Sequence, residues 1–523
     1  MRMERNALVA GERHAGTERR LMLLLYVIGV LVFRAAIMDD TFIHLQYARN
    51  LRSAGELAFN PGEPSMGATS PLWVLVLAAS GVGVVGARVL SVACGALAVL
   101  VFGALARRVL GRGPWAVAAS CAWAGSLWLV RHAPNGMETT AAVLLVLVAV
   151  WLRSMGGRHG GRDALVGLSL AGAVLTRPEA VLLGLVFVVQ DAVTRSGRER
   201  LLLWLPVFVV PCVGWAAFAH SQTGDWLPAT GAAKSGGLDF APLVWWRVVW
   251  REARILGAGH AVELLGLAVG SGLALRLEGR AAGARLVRHR LVPYGVFSLL
   301  LLAGYAATDT QVQPRYLLLA TPCLVLAGFA AWAAVVSGGP GRAALVCVAS
   351  LAVGAFAAAR TVYPATRDFA IGVERVLEPM ALDVASRELP QARVAVADIG
   401  IMGYYSKARI LDLGGLVDAR VQALVARTGY DAMLEQGTFL DLAPVDFVLD
   451  RSTERERFRD HVTRGLHWRV LRTGVVRGLG ISRPENYYYT LYALEPGSAL
   501  GRLEPGATPT GSAARAPSTL ARR

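Results

Sequence analysis

From Leu21 to Ala359 the chain repeats one pattern, an apolar run followed by a short, arginine-bearing polar loop. Each run is about the length a helix needs to cross a bilayer, some twenty residues at a rise of ~1.5 Å. The runs fall at roughly 21–37, 86–106, 114–130, 138–153, a short pair at 164–175 and 179–194, then 201–219, 256–275, 291–307, 315–336 and 343–359. They predict a polytopic α-helical membrane protein with about eleven crossings, preceded by a polar N-terminus over 1–20. After Arg360 the pattern changes. Segments 394–399, 445–449 and 487–494 read as short buried strands with helical stretches between them, so a small α/β domain is expected over 360–500. The Gly/Ala/Pro/Ser-rich stretch 501–523 reads as a disordered tail.

Composition supports the membrane assignment, since 54% hydrophobic and 17% charged residues give more apolar surface than a soluble core of this size can hide. The formal charge of +16 raises the question of nucleic acid. Its arginines sit in short loops between apolar runs, where they act as topology signals, and a nucleic-acid partner is set aside. All five cysteines lie within apolar runs, without metal-ligand spacing and out of reach of a disulfide framework in the polar domain. The first run is followed by Met38-Asp39-Asp40 rather than a small-residue cleavage site, so it is expected to stay as the first span.

A cytoplasmic N-terminus satisfies the positive-inside rule. The segments it places inside hold 20 arginines, while the outer loops hold nine Lys or Arg over more residues. This parity requires residues 71–83, too short an apolar run to cross comfortably, to dip into the membrane or lie along it. Eleven crossings then leave residues 360–523 outside.

With that topology five polar motifs collect at the outer boundary. MDDTFIHLQYARN carries Asp39, Asp40 and, a helical turn on, His44. Two adjacent carboxylates suit proton transfer or a divalent cation, and they equally suit the start of a solvated helix, where they complement the dipole. RHAPNGMETT carries Glu138, for which helix capping is the competing account. LTRPEA places Arg177 and Glu179 at the tip of two short apolar helices, a costly position unless the pair has a partner or a task. GDWLPATGAAKS contains Lys234, one of two lysines against 51 arginines, a compact charge suited to a phosphate. TDTQVQPRY brings in Arg315, for which snorkelling to the interface is the alternative. One shared site explains five such motifs at one boundary better than five coincidences.

The stretch DDTFIHLQYARNLRSAGELAFNPGEPSMGATSPLW, residues 39–73, closely resembles the first outer loop of lipid-dependent GT-C glycosyltransferases, and among them the actinobacterial cell-wall arabinofuranosyltransferases of the AftB type. The pattern continues in NGMET, LTRPE, GDWLPATGAAKS, PRY and DIGIMGYYSKARILDLGGLVD, in order along about four fifths of the chain. It departs at Leu227–Lys234, where relatives read more like LPNTFYAK and carry an aromatic that this chain lacks.

The resemblance implies a GT-C-like membrane module over 21–359 and an extracytoplasmic C-terminal domain in a bacterial inner membrane. It implies a polyprenyl-phosphate sugar as donor, with arabinofuranose as the sugar, and a cell-envelope glycan as acceptor. Asp40 is then the base, and Asp39 orients it or holds a cation. Arg177, Lys234, Arg315 and His44 face the donor phosphate, while Glu138 and Glu179 bind acceptor hydroxyls. Tyr404 and Tyr405 are candidates for stacking on sugar rings, or for ordinary core packing. The competing readings are hexosyl or mannosyl transfer to protein or lipid, and a transporter. A transporter predicts polar residues strung through the midplane and an internal repeat, neither of which the sequence shows.

Overall fold

The computed structural model describes residues 2–157, 159–224, 226, 241–277, 291–336, 339–389, 391–481 and 483–496. Lys234 and the expected tail 501–523 lie outside these described residues.

Each of the eleven apolar segments is helical. In chain order the elements are α1 (Arg2–Val32), α2 (Asp39–Ala54), a small hairpin β1 (Ala58–Asn60) and β2 (Glu63–Pro64), α3 (Pro71–Ser80), α4 (Val84–Leu110), α5 (Pro114–Ala124), α6 (Leu127–His132), α7 (Thr139–Ser154), α8 (Gly160–Thr176) and α9 (Val181–Ala192). Then follow α10 (Arg195–Thr223), α11 (Pro242–Leu277), α12 (Val292–Ala307), the short turn α13 (Pro314–Leu317), α14 (Thr321–Val336) and α15 (Pro340–Ala357). Among the described residues four helices, beginning at Val84, Arg195, Pro242 and Pro340, are long and apolar enough to cross a membrane. Exposed apolar side chains such as Leu97, Leu168, Val210 and Leu345 stand on the outside of the bundle, where lipid would cover them. Trp245, Trp246 and Trp250 are exposed near the start of α11, as in an interfacial aromatic belt.

The structure subdivides two expected spans and lengthens a third. The 114–130 run breaks at Gly125-Ser126 into α5 and α6. The 315–336 run breaks after Leu317 and restarts with Pro322 in the first turn of α14, where a missing N–H costs nothing. Tyr294 donates its hydroxyl to the Leu319 carbonyl in that gap, which holds the broken turn in place. The last span does not stop at 359. It continues through a π turn (Ala358–Val362), α16 (Tyr363–Gly372), a second π turn (Val373–Leu377) and α17 (Glu378–Ser386), so a 47-residue helical rod runs across the expected boundary at 360. Residues 71–83, expected not to cross, hold only the ten-residue α3.

Two sets of ion pairs mark the two ends of the bundle. At one end Arg107 of α4 pairs with Glu18 of α1 at 2.8 Å, and Arg153 of α7 pairs with Asp191 of α9 at 2.6 Å. The opposite ends of these helices carry Asp40, Glu138 and the α8–α9 turn with Arg177 and Glu179. Carboxylates and arginines from distant parts of the sequence therefore gather at one end of the bundle.

The C-terminal domain is built on a six-stranded sheet of order β4-β3-β5-β8-β7-β6, formed by β3 (Arg393–Val396), β4 (Arg409–Asp412), β5 (Phe447–Ser452), β6 (Val462–Thr463), β7 (Leu466–Arg477) and β8 (Asn486–Pro496). β3 is parallel to β4 and β5, and the remaining pairs are antiparallel. Phe447 and Leu449 face one core, shared with α2, α17 and the helix α18 (Ile399–Ser406), while Val448 between them faces the other, beneath Leu424 and Met433. Both faces are covered, which is why these strands read as unbroken apolar runs. The three expected strands correspond to β3, β5 and β8.

Candidate active site

The 39–73 block does two jobs. Most of its polar groups hold the block together or fasten the C-terminal domain to it, rather than facing a cavity. Asn50 donates to the carbonyls of Ala58 and Phe59, and Gln46 also donates to the Phe59 carbonyl. Asn60 donates to the Ile410 carbonyl and accepts from its N–H, both at 2.8 Å, which ties the hairpin to β4. Phe42 packs against both Tyr404 and Tyr405, at 5.6 and 5.5 Å between ring centres. These tyrosines belong to the interdomain contact, and neither lines either cavity described below.

The two adjacent carboxylates part company at the first turn of α2. Successive helical residues point about 100° apart. Asp39 turns toward the C-terminal domain, where its two oxygens accept the N–H groups of Gly400 and Ile401, each at 2.8 Å. Gly400 must be small for this contact, because a Cβ there would lie 2.1 Å from the Asp39 carbonyl oxygen. Burial pushes Asp39 up to about 7; the nearby charges of Asp398 and Asp40 push the same way, against the two N–H groups that lower it. Asp40 turns the other way, to Arg315, whose Nη2 donates to its Oδ2 at 2.7 Å.

Asp40 and Arg315 border a cavity of about 250 Å³ whose other walls include His44, Glu138, Arg177, Glu179, Tyr305 and Tyr316. Four of the five sequence motifs thus meet in one place, and the fifth, with Lys234, lies outside the described residues. Arg177 is buried and spends its donors on carboxylates: Nη1 on Glu138 at 3.0 Å, Nε and Nη2 on Glu179 at 3.1 and 2.6 Å. Tyr305 donates a further bond to the same Glu179 oxygen at 2.8 Å. Tyr316 supports both arginines from beneath, its ring centre 4.8 Å from the Arg177 guanidinium and 5.3 Å from that of Arg315.

Glu138 stands just before α7 but makes no capping bond to it. The turn ahead is shaped instead by Asn135, whose side chain accepts the Met137 N–H at 2.9 Å, and by Gly136 at φ 82°. One Glu138 oxygen takes Arg177. The other lies 3.8 Å from His44 Nδ1 and, among the described residues, is buried without a hydrogen-bond partner. Such an atom fits a ligand hydroxyl. His44 is buried, and Arg315 is 3% exposed rather than snorkelling to the interface.

A divalent cation does not fit the Asp39–Asp40 pair well. It would have to displace two peptide N–H groups from one carboxylate and Arg315 from the other. Among the described residues no group of three or more His, Cys, Asp or Glu side chains is placed to hold a metal ion.

Beyond the Asp40–Arg315 pair lies a second cavity, of about 180 Å³, between the bundle and the C-terminal domain. Arg131, Asp39, Asp398, Arg451, Arg483 and Tyr489 contribute to its walls. Arg451 donates to both oxygens of Asp398 at 2.7 and 2.8 Å, and Tyr489 adds a bond at 2.6 Å. None of Arg131, Tyr305, Tyr316 or Arg451 was singled out from sequence. Arg131 and Tyr316 did lie inside the motifs RHAPNGMETT and PRY.

Comparison with known proteins gives the fold its relatives. The apo structure of ArnT from Cupriavidus metallidurans superposes with a TM-score of 0.58 at 13% identity, covering 92% of this chain and 98% of that one. The same protein bound to undecaprenyl phosphate gives a TM-score of 0.51 at 16% identity, covering 90% and 97%. The chain therefore shares the fold of ArnT along almost its whole length. Residues 371–492 match a family described as a domain of unknown function (DUF8728). No curated protein matches the chain by sequence.

Proposed function

We propose that this chain is a membrane glycosyltransferase that moves a sugar from a polyprenyl-phosphate donor to a glycan acceptor of the bacterial cell envelope, at the outer face of the inner membrane. The observation that carries the reading is the position of Asp40, held by Arg315 on the wall that two cavities share. A group there reaches a substrate on either side. The ArnT fold, with undecaprenyl phosphate bound in one structure of that protein, supports a lipid-phosphate donor.

In this reading the donor headgroup enters the first cavity, which is walled by the ends of the membrane helices, and its lipid tail stays in the bilayer. The unsatisfied oxygen of Glu138 accepts a sugar hydroxyl. Arg177 fixes Glu138 and Glu179 rather than meeting phosphate itself. The acceptor hydroxyl gives its proton to Asp40 as its oxygen bonds to the anomeric carbon. The bond from that carbon to the phosphate oxygen breaks, and its electron pair leaves with the polyprenyl phosphate. As Asp40 is protonated its hold on Arg315 weakens, so the guanidinium becomes available to the developing phosphate charge, with Lys234 as a second cation. Asp39 acts at one remove, by fixing the C-terminal domain against the start of α2.

Arabinofuranose is the sugar we favour, on the strength of the 39–73 resemblance. Purified protein incubated with a panel of polyprenyl-phosphate sugars and glycan acceptors is expected to consume the arabinofuranosyl donor. Consumption of a mannosyl or other hexosyl donor instead would move the assignment to hexosyl transfer. No consumption of any donor by folded protein would overturn the transferase reading. Asp40→Asn is expected to slow transfer by roughly 10²- to 10⁴-fold, the usual worth of a general base, and full activity in that variant would remove Asp40 from the role.

A further inference from the structure

The second cavity holds more positive charge than its neighbours neutralise. Asp40 is taken by Arg315 and Asp398 by Arg451, while Asp39 is bonded to two peptide N–H groups. Two arginines on its wall then lack a carboxylate among the described residues. One is Arg131, at the end of α6, which is half-buried and bonded only to neutral groups. Its Nε donates to Thr366 Oγ1 at 3.1 Å, and its Nη1 lies 3.0 Å from the His132 ring. The other is Arg483, brought in by the turn between β7 and β8, where Leu479 N–H donates to the Arg483 carbonyl and Gly480 takes φ 90°.

A half-buried arginine without a counter-ion has lost part of its hydration, and an anion that arrives beside it makes up the loss. The two arginines come from different modules, one from the bundle and one from the C-terminal domain, and both line this cavity, so an anion held in it draws on both. Neutral sugar hydroxyls do not need this, since Asp, Glu and Tyr side chains serve them as well. Phosphate and carboxylate groups do, because the planar guanidinium donates to two of their oxygens at once.

We propose that this interdomain cavity is an anion subsite, in which Arg131 and Arg483 hold a phosphate or carboxylate group carried by the acceptor. The proposal rests on the transferase reading for the identity of its ligand as the acceptor. It says that the preferred acceptor is an anionic glycan or glycolipid, charged close to the hydroxyl that Asp40 deprotonates. The donor phosphate belongs on the other side of Asp40, in the first cavity, so the two anions do not compete for one place.

The test uses 4-fluorophenyl phosphate as the probe, followed by fluorine NMR on the full-length protein in nanodiscs, with and without saturating undecaprenyl phosphate. Binding is expected to persist when the lipid phosphate is present, to weaken at least tenfold in Arg131→Gln and in Arg483→Gln, and to be largely kept in Arg131→Lys. Three results would overturn the subsite: no binding to the wild type, complete displacement by undecaprenyl phosphate, or binding unchanged in both glutamine variants. Arg483 lies on a surface turn, so its variant reports even if Arg131→Gln does not fold. Donor consumption by the same wild-type preparation separates the two ideas. Probe binding without donor consumption leaves the subsite standing and sinks the transferase reading, whereas donor consumption without probe binding does the reverse.

Discussion

Replacing Asp39 by Asn tests the division of labour between the two adjacent carboxylates. The wild-type side chain accepts two peptide N–H groups at 2.8 Å each. An amide keeps one acceptor oxygen and turns its NH₂ toward the other N–H, leaving a donor facing a donor. An unsatisfied buried N–H costs about 1–3 kcal/mol, which sets the expected loss at pH 5, where the wild-type carboxyl is mostly neutral. The pH dependence supplies the sharper signature. Asp39 is raised to about 7, so between its unfolded value near 4 and pH 7 the native state binds more protons than the unfolded chain. The wild type therefore loses stability from this group as pH rises through that window, and the variant does not. The gap between the two proteins should narrow from pH 5 to pH 8. Asp412, also raised to about 7 by burial, titrates in both proteins and cancels in the difference. Differential scanning fluorimetry across this range, in one detergent and at constant ionic strength, reads the gap directly. A gap that widens or stays constant with pH would refute the assignment of Asp39 as a buried interdomain latch. Turnover lost as completely as in Asp40→Asn, in a variant that still melts cooperatively, would show that Asp39 takes part in the chemistry.

Other substitutions probe the neighbouring contacts. Gly400→Ala would drive a Cβ into the backbone of Asp39 and should destabilise the protein by about 1–3 kcal/mol, read as a lower melting temperature at every pH. Glu138→Gln keeps the side-chain shape but replaces a charged acceptor, and a substrate bond worth about 1.5–3 kcal/mol should vanish as a roughly ten- to hundredfold fall in kcat/KM; an unchanged value would remove Glu138 from the substrate site. Arg427→Cys, on an exposed helix of the C-terminal domain, should react with an impermeant maleimide from outside intact cells. Labelling only after lysis would invert the proposed topology.

The helical character of the apolar runs was legible because it needs no tertiary help, though only four of the described helices are long and apolar enough to cross a membrane. The interruptions were less visible. The break before Pro322 depends on Tyr294 reaching the Leu319 carbonyl from another helix, and nothing local announces it. In the C-terminal domain β3, β5 and β8 stood out because both of their faces are buried. By contrast, β7 carries Arg469, Arg472 and Arg477 and lies toward the sheet edge, so its apolar alternation is diluted. The motifs that line the first cavity stood out in the sequence by their charges. Their wiring did not. Adjacent Asp39 and Asp40 look equivalent in a string of letters, and only the helical rotation between them, together with the domain packed against one side, separates them. Arg131 was hidden for a similar reason: one more arginine in an arginine-rich chain becomes notable only when its neighbours prove to be neutral.

The rod from Pro340 to Ser386 has a consequence for how this protein can vary. A 47-residue helix is about 70 Å long, with its foot among the apolar helices and its head under the sheet. Such a strut fixes the height and the heading of the C-terminal domain by residue count. One residue added within it would lift the domain by ~1.5 Å and swing it by about 100°, carrying Arg483 and the Gly400–Ile401 amides away from Arg131 and Asp39. Four added residues would bring the heading back only to within about 40° while raising the domain by ~6 Å. Neither change is tolerable for a cavity whose opposite walls belong to different modules. Length in this helix is therefore a gauge, and the chain between residues 340 and 386 should accept substitutions far more readily than insertions or deletions.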